Sequence, residues 1–449
     1  MSADPAVTSL PAAERARRRI ARRLLPYLFV LYVVAYLDRV NVGYAALDMT
    51  SDLSFTPSQY GFGVGIFFAG YVLLEIPGTI LVERWSARKW IARIMVSWGL
   101  VAACAGFVHS AHQFYWVRFL LGAAEAGFFP GIIVYLSHWF RYQDRARAMA
   151  TFVAAQPIAN IFGSPVSGLL LNAHWLGLAG WRWLFIIEGV PAIVLGVVTF
   201  FFLTDWPDQA SWLPGDERAW ITAELARERA VKDTARSFTA WQALAHPQVL
   251  LLCISFFCVV TSVYGFNFWL PTILKGMTGA SNLRVTLLSA VPYCVGLAAM
   301  LVVSWSSDRS GERRWHTAAC MLAISLGLAL SALWQSAVVP AMFMFCLAAA
   351  GMFAYVPTFW ALPTRFLGGT AAAAAIGLIN SLGNLGGLAG PYVVGALTEK
   401  TRAPFVGVLY LSLSAALAAA LLLSLRVPAP AAARPAVTLE PETLPPEAP

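Results

Sequence analysis

Five ionisable residues sit well inside long apolar runs: Asp38, Arg39, Glu75, Arg118 and Glu125, with Glu188 a sixth nearer the end of its run. Runs of about 20 apolar residues cross a hydrocarbon core of about 30 Å as helices. A charge inside one costs a few kcal/mol on insertion scales and marks ion or proton chemistry by default. Asp38 and Arg39 are adjacent, so on a helix they point about 100° apart and must find partners elsewhere. For Arg39 that partner is expected to be an anion from outside the protein. Arg118 and Glu125 are seven residues apart, nearly on one face and about 10 Å apart along the axis. Gly122 lies between them, leaving space for a bound anion, water or Asp38.

A carboxylate whose surroundings alternate between dry and wet can load and release a proton. Asp38 and Glu125 are placed for that role. An arginine fork gives a carboxylate ligand two parallel, charge-assisted hydrogen bonds. Arg39 is therefore an anion-binding candidate, and Arg118 is either a second one or a pairing partner. Glu75, one turn beyond Tyr71 and just before Pro77, is a second proton site or a residue whose pairing fixes its helix. The bland alternative for the whole set is a static network locking helices together. Neutral polar residues also keep helical spacing: Gln156, Asn160, Gly163 and Ser167 on one run, Gly377, Asn380, Asn384, Gly387 and Pro391 on another. In lipid such amides face a partner helix or a cavity. Tyr36, Tyr71, Tyr355 and Trp360 are candidate walls of that cavity, or ordinary packing.

The elements that position these residues follow from composition. Of 449 residues, 59% are hydrophobic and 12% charged, with a mean hydropathy of +0.67. Ordinary soluble domains carry roughly 25% charge, and this much apolar surface cannot be hidden in one core. A soluble enzyme and a disordered scaffold are excluded. So is a nucleic-acid binder, despite the net charge of +8, because the basic residues fall in short clusters between apolar runs. The expected fold is an all-α membrane protein with twelve spans. Spans 1–6 are predicted near 24–47, 57–82, 90–108, 113–138, 147–170 and 182–203. Spans 7–12 are predicted near 247–274, 284–306, 316–335, 338–364, 371–397 and 404–426.

The domains that result are a basic N-terminus (1–23), a six-helix half (24–203), a polar linker (204–246), a second half (247–426) and a tail (427–449). The linker holds a charged run from Asp216 to Arg236 that reads as helix, and the Pro- and Ala-rich tail is expected to be disordered. The basic run Arg15–Arg23 lacks a convincing cleavage site, so the first span is expected to be retained. Lys and Arg gather on the side that carries both termini, which predicts that side to be cytoplasmic. The six cysteines and six histidines show no metal-like spacing and there is no Walker A sequence, so neither metal nor cofactor is expected and the energy source is not ATP.

The chain also repeats itself. Glu83-Arg84-Trp85-Ser86-Ala87-Arg88-Lys89 follows span 2, and Asp308-Arg309-Ser310-Gly311-Glu312-Arg313-Arg314 follows span 8. Parallel repeats of six spans closing around a midplane site are a transporter architecture.

Two six-helix halves carrying this turn resemble the major facilitator superfamily over essentially the whole chain. Gly78 fits the family's upstream glycine, while Glu83 and Ser86 replace its usual Asp and Gly; Asp308 and Gly311 keep them in the second copy. Within the superfamily, Tyr36-Leu37-Asp38-Arg39-Val40-Asn41, Glu75-Ile76-Pro77, Gly122-Ala123-Ala124-Glu125-Ala126 and Asn380-Ser381-Leu382-Gly383-Asn384-Leu385-Gly386-Gly387 are similar to the anion:cation symporter branch and its tartrate and phthalate transporters. The resemblance implies proton coupling at Asp38 and Glu125, anion binding at Arg39, and substrate contact at Gln156 and Asn384. It also implies that Glu83, Arg84, Arg88, Asp308, Arg309 and Arg313 latch the two halves in one orientation.

Together these readings lead to an expected monomeric, proton-coupled importer of a small organic carboxylate in the bacterial inner membrane. The rivals are an exporter or antiporter of drugs or cations on the same fold, and a polytopic membrane transferase. Two buried arginines disfavour a cationic substrate. Short outer loops, and no histidine in the 216–236 run, disfavour a transferase.

Overall fold

The structure, a computed structural model, describes residues 11–233, 246–363 and 369–425, without the side chains of 79–80, 83–84, 146, 229–233 and 369–374. Among the described residues, ten helices are long and apolar enough to cross a membrane. Spans 1 to 3 are Ala12–Asp52, Pro57–Arg84 and Ala87–Cys104, and span 6 is Gly180–Phe202. Spans 7 to 10 are Pro247–Thr278, Asn282–Ser310, Arg314–Ser331 and Val338–Trp360, and span 12 is Pro404–Leu423. Span 4 crosses as two pieces, Ala111–Glu125 and Phe128–Trp139. The two remaining spans are each divided by a bend: span 5 into Tyr142–Val153 and Ala155–Leu171, span 11 into Gly369–Asn384 and Gly386–Thr401. Spans 5 and 11 hold corresponding places in the two halves, so the bends are a shared feature of the repeat. The result is a two-half, twelve-span bundle. Leu73, Phe162, Phe201, Phe343 and Leu413 project outward and exposed, as a lipid-facing surface requires.

Local chemistry sets the ends. Thr56 caps span 2 with a reciprocal Gln59 contact and Pro57 in the first turn. Ser86 and Ser110 cap spans 3 and 4. Within each half, small residues let backbones approach: Gly99 of span 3 meets the Gly189 carbonyl of span 6, and Gly327 of span 9 meets Ala348 of span 10.

Span 1 starts twelve residues earlier than expected, because the basic N-terminal run is helical and finds acids on the linker helix Gly215–Asp233. Arg19 forks onto Glu217 at 2.9 and 3.2 Å, Arg15 pairs with Asp216, and Arg145 donates to Glu228 at 3.0 Å. The linker helix is thus strapped to the N-terminal half. The predicted tail, 427–449, lies outside the described residues.

The side bearing this strap is called the linker face, and the other the far face. Near the far face the halves are tightly joined. Gly61 and Gly395 have no room for a Cβ against Pro391 and Pro57 of the opposite half, and Gly168 none against Thr286. Tyr60 donates to the Phe268 carbonyl at 3.0 Å. Asp48 accepts from Asn282 at 2.8 Å on both oxygens, and Glu399 accepts from the Ser58 hydroxyl and, at 3.1 Å, from its amide.

Candidate substrate and proton site

Arg39 occupies the middle of span 1 and is 9% exposed. Its Nη2 donates to Glu125 Oε1 in a close ion pair, and its Nη1 to the Tyr264 hydroxyl at 3.3 Å. The guanidinium lies 5.3 Å from the Tyr71 ring centroid and 5.4 Å from that of Phe67. Arg39 therefore has a partner within the chain, contrary to the expectation of an external one. Span 4 brings the acid round to the face of span 1 that Asp38 does not use.

Glu125 ends the first piece of span 4. The chain then turns through Ala126 and Gly127, at φ +85°, before helix resumes at Phe128. That conformation suits glycine. Gly78 of span 2 packs on the break, where a Cβ would stand 3.3 Å from the Ala126 carbonyl oxygen. A helix C-terminus is the negative end of its dipole, so a carboxylate there needs a cation close by, and Arg39 supplies it.

Arg118 is fully buried and 5.0 Å from the same Phe67 ring, yet none of its three guanidinium nitrogens has a hydrogen-bond partner. Asp38, also buried, accepts from Asn41 at 3.3 Å through Oδ1, while Oδ2 is bare. The space expected between Arg118 and Glu125 does not exist. Gly122 is where span 2 presses closest, and a Cβ there would collide with the Phe67 carbonyl.

The remaining expected residues divide. Tyr71 joins the cluster beneath Arg39, and Tyr36 stands edge-on to Tyr32 at 6.2 Å. Gln156 donates to the Tyr32 hydroxyl at 2.5 Å, linking span 5 to span 1. Tyr355 is buried and stands edge-on to Phe359, with centroids 6.3 Å apart. Asn384 is half-buried at the bend of span 11. Trp360 packs on Phe256 and Phe359, with centroids 4.9 and 5.5 Å away, and makes no ring or hydrogen-bond contact with the charged cluster. Glu75 takes the pairing role: Oε1 accepts from Asn380 at 2.5 Å and Oε2 from Ser381 at 2.8 Å, across the two halves on the linker side of Arg39.

The basic turns of the linker face are more self-contained than expected. Asp308 pairs with Arg313 of its own turn at 2.5 Å, and Arg309 lies over Trp305. Arg88 lies over Phe200, and its amide donates to Asp205 at 2.8 Å, as does Ser86 Oγ at 2.7 Å. The Glu83 and Arg84 side chains lie outside the described residues. Asp205 and Tyr264 were missed in the sequence. Tyr264 could have been found, because it stands 225 residues from Arg39, the same offset that separates Glu83 from Asp308.

The family model described as Major Facilitator Superfamily matches residues 28–391. The chain belongs to the major facilitator superfamily. It is 45% identical over 397 residues to a protein of Agrobacterium vitis named "Putative tartrate transporter", covering 88% of this chain and 91% of that one. A "Quinolone resistance transporter" of Acinetobacter baumannii is 39% identical, with 88% and 91% covered. Among solved structures, a bacterial homologue of the human lysosomal transporter Spinster, inward-facing and unoccupied, superposes with a TM-score of 0.71 at 17% identity, covering 91% of this chain and 95% of that one. This major facilitator protein is a membrane transporter of the tartrate-transporter-like kind, not an enzyme.

Proposed function

We propose that this transporter takes up a small organic carboxylate, such as tartrate, a sugar acid or an aromatic acid, together with protons across the bacterial inner membrane. The linker face is cytoplasmic, both termini lie there, and the chain works as a monomer. The observation that carries this reading is the buried pairing of Arg39 with Glu125 beside an Arg118 that has no hydrogen-bond partner. Two arginines and two carboxylates are neutral together when all are ionised. Adding one carboxylate substrate leaves the buried cluster one negative charge in excess, which is costly in low dielectric. A proton arriving on Glu125 or Asp38 removes that excess. The substrate takes the guanidinium that Glu125 gives up, and Gln156, Asn384, Tyr36, Tyr71, Tyr355 and Trp360 are the proposed further contacts, Trp360 only after a rearrangement. Glu75, bonded to both partners on span 11, acts as a linker-side clasp more than as a proton carrier. The basic turns, with Arg84 and Arg309, are proposed to govern the conformational cycle.

Export is the second reading, favoured by the relative named for quinolone resistance. A quinolone also carries a carboxylate, so an arginine site serves either direction. Uptake in proteoliposomes with a panel of tartrate, aldonates, aromatic acids and dicarboxylates decides. An inward proton gradient should accumulate one class of acid severalfold over its equilibrium level. Accumulation only of cations or drugs, or none sensitive to the gradient, overturns the reading.

A further inference from the structure

Where spans 2, 3 and 6 reach the linker face, their outer side carries cations that the fold leaves without acids. Lys89 and Arg93, in the first two turns of span 3, are exposed, and Arg88 is half-buried. Among the described residues no carboxylate forms an ion pair with any of the three. The acid nearby, Asp205, is engaged at the start of span 3, accepting from the Ser86 hydroxyl at 2.7 Å and the Arg88 amide at 2.8 Å. The cations lie on aromatic rings instead. The Arg93 guanidinium is 3.9 Å from the Trp90 ring centroid, and the Lys89 ammonium is 6.0 Å from that of Trp85. Trp85 and Trp90 meet edge to face at 6.1 Å, so the two indoles and their cations form one corner.

That corner has an apolar floor and a fixed back. Arg88 lies 5.4 Å from the Phe200 ring, Phe201 stands edge-on to Phe200 at 5.3 Å, and Leu81 is one turn before Trp85. Leu81, Trp85, Phe200 and Phe201 are all exposed at the ends of their spans, where the lipid-facing surface begins. Trp90 is held from behind by the break in span 4: a Cβ at Gly127 would stand 3.5 Å from its Nε1. The second half keeps only part of this. At the 225-residue offset of the repeat, Arg314-Trp315 stands where Lys89-Trp90 does. There, however, Arg314 donates to the Leu423 carbonyl, and Arg313 pairs with Asp308.

We propose that this corner of the N-terminal half binds the headgroup of an anionic phospholipid from the leaflet on the linker face. Lys89 and Arg93 hold the phosphate, and the acyl chains lie along Leu81, Phe200 and Phe201. Both parts of the patch match an amphiphile. Indoles favour the boundary between headgroups and hydrocarbon, and basic residues there attract acidic headgroups. Cations stacked on rings are also held in place before the lipid arrives, which lowers the ordering cost of binding. A soluble phosphate would use the cations and ignore the apolar floor. If the basic residues served only to orient the chain in the membrane, any linker-face cation would do as well as another. The site is separate from the cluster around Arg39, and the proposal holds for either direction of transport.

Native mass spectrometry of the full-length protein, delipidated in detergent and titrated with phosphatidylglycerol or with phosphatidylcholine of the same chains, tests this. Wild type should retain one phosphatidylglycerol at least about tenfold more tightly than phosphatidylcholine. Lys89→Gln and Arg93→Gln should each lose about fivefold of that preference, and the double variant all of it. The single variants keep the question open to measurement if the double one fails to purify. Arg227→Gln, on the linker helix with its side chain 82% exposed, should change nothing. Glycerol phosphate, a headgroup without chains, should not displace the lipid at equal concentration. The proposal is overturned by a wild type that binds both lipids alike, by Gln variants that keep the preference, or by an equal loss in Arg227→Gln. Displacement by glycerol phosphate would make the corner a site for free anions and overturn it too.

Discussion

The two halves share a fold and differ in what they bury. In the N-terminal half Asp38, Arg39, Glu75, Arg118, Glu125 and Glu188 are all buried within the bundle. In the C-terminal half the buried polar residues among those described are neutral: serines, threonines, Asn267 and the tyrosines Tyr264, Tyr293 and Tyr355. The side-chain hydrogen bonds between the halves near the site each join a charge from one to a neutral group from the other, Arg39 to Tyr264 and Glu75 to Asn380 and Ser381. A neutral partner is released at lower cost, since a hydrogen bond to a charged group nets about 1.5–3 kcal/mol while breaking a buried ion pair costs about 3–5. The strong pairing of Arg39 with Glu125 stays inside one half. The weak pairings cross the boundary, which is what halves that rock against each other require.

Breaking the charged half should therefore cost most. Arg39→Ala leaves Glu125 buried without its cation and should abolish transport. Arg39→Lys keeps the charge and loses the fork, weakening substrate binding by about 1.5–3 kcal/mol, roughly tenfold to hundredfold. Calorimetry on purified variants reads this directly. Should Arg39→Lys bind like wild type while Arg118→Lys does not, the anion site belongs to the unpartnered arginine of span 4.

Next come the acids. Asp38→Asn and Glu125→Gln should each lose gradient-driven accumulation, with exchange of substrate for substrate surviving because it needs no net proton movement. Full accumulation by both variants contradicts their proposed role. On the neutral side, Tyr264→Phe removes one hydrogen bond and should cost about twofold to tenfold in affinity. An effect as large as that of Arg39→Ala would erase the proposed division between the halves.

Much of this was legible before any coordinates. Apolar run length and the position of Lys and Arg clusters gave twelve spans, because lipid imposes one helix length and one charge bias. The buried charges were legible for the same reason: nothing in an apolar run hides them. Their pairing was not. Adjacent Asp38 and Arg39 could be seen to diverge, but which helix meets each depends on how spans 1, 2 and 4 pack, and Gly122 turned out to admit the backbone of span 2 where an anion was expected. The bends in spans 5 and 11 were also hidden. Ala154 and Leu385 keep nearly helical dihedrals, and the residues that mark the breaks, Pro157 three places after the first and Gly386-Gly387 directly after the second, read equally as ordinary composition of a span, where Gly and Pro are common.

A smaller effect is expected at the linker-face turns. Arg84→Ala and Arg309→Ala should slow the transport cycle severalfold with little change in affinity, since they lie at helix ends away from the cluster around Arg39. Stopped-flow or counterflow rates set against calorimetric affinities separate the two, and a large affinity loss at an unchanged maximal rate contradicts the assignment.

The far-face clasps should show the smallest effect, and they limit how far the contrast between the halves extends. Asp48 reaches from the N-terminal half to Asn282 in the first turn of span 8, and Glu399 from the C-terminal half to Ser58 in the first turn of span 2. At the surface, then, each half lends an acid to the other, and the asymmetry belongs to the interior. The Ser58 hydroxyl, then the Ser58 amide and Thr56, hold the Glu399 carboxyl below the ordinary carboxylate value of 4.5. A depressed value means the clasp is fully made above about pH 4.5 and is lost only as pH falls through the lower value of the folded chain. Wild-type transport should therefore show no pH-dependent change from Glu399 between neutral pH and 5, and one only as pH falls below about 4.5. Glu399→Gln keeps an acceptor but no charge, so its maximal rate at pH 7 should shift by less than about twofold, as for other exposed charges, and the change below pH 5 should disappear. A Glu399→Gln rate profile identical to wild type down to pH 4 would show that this contact holds nothing shut.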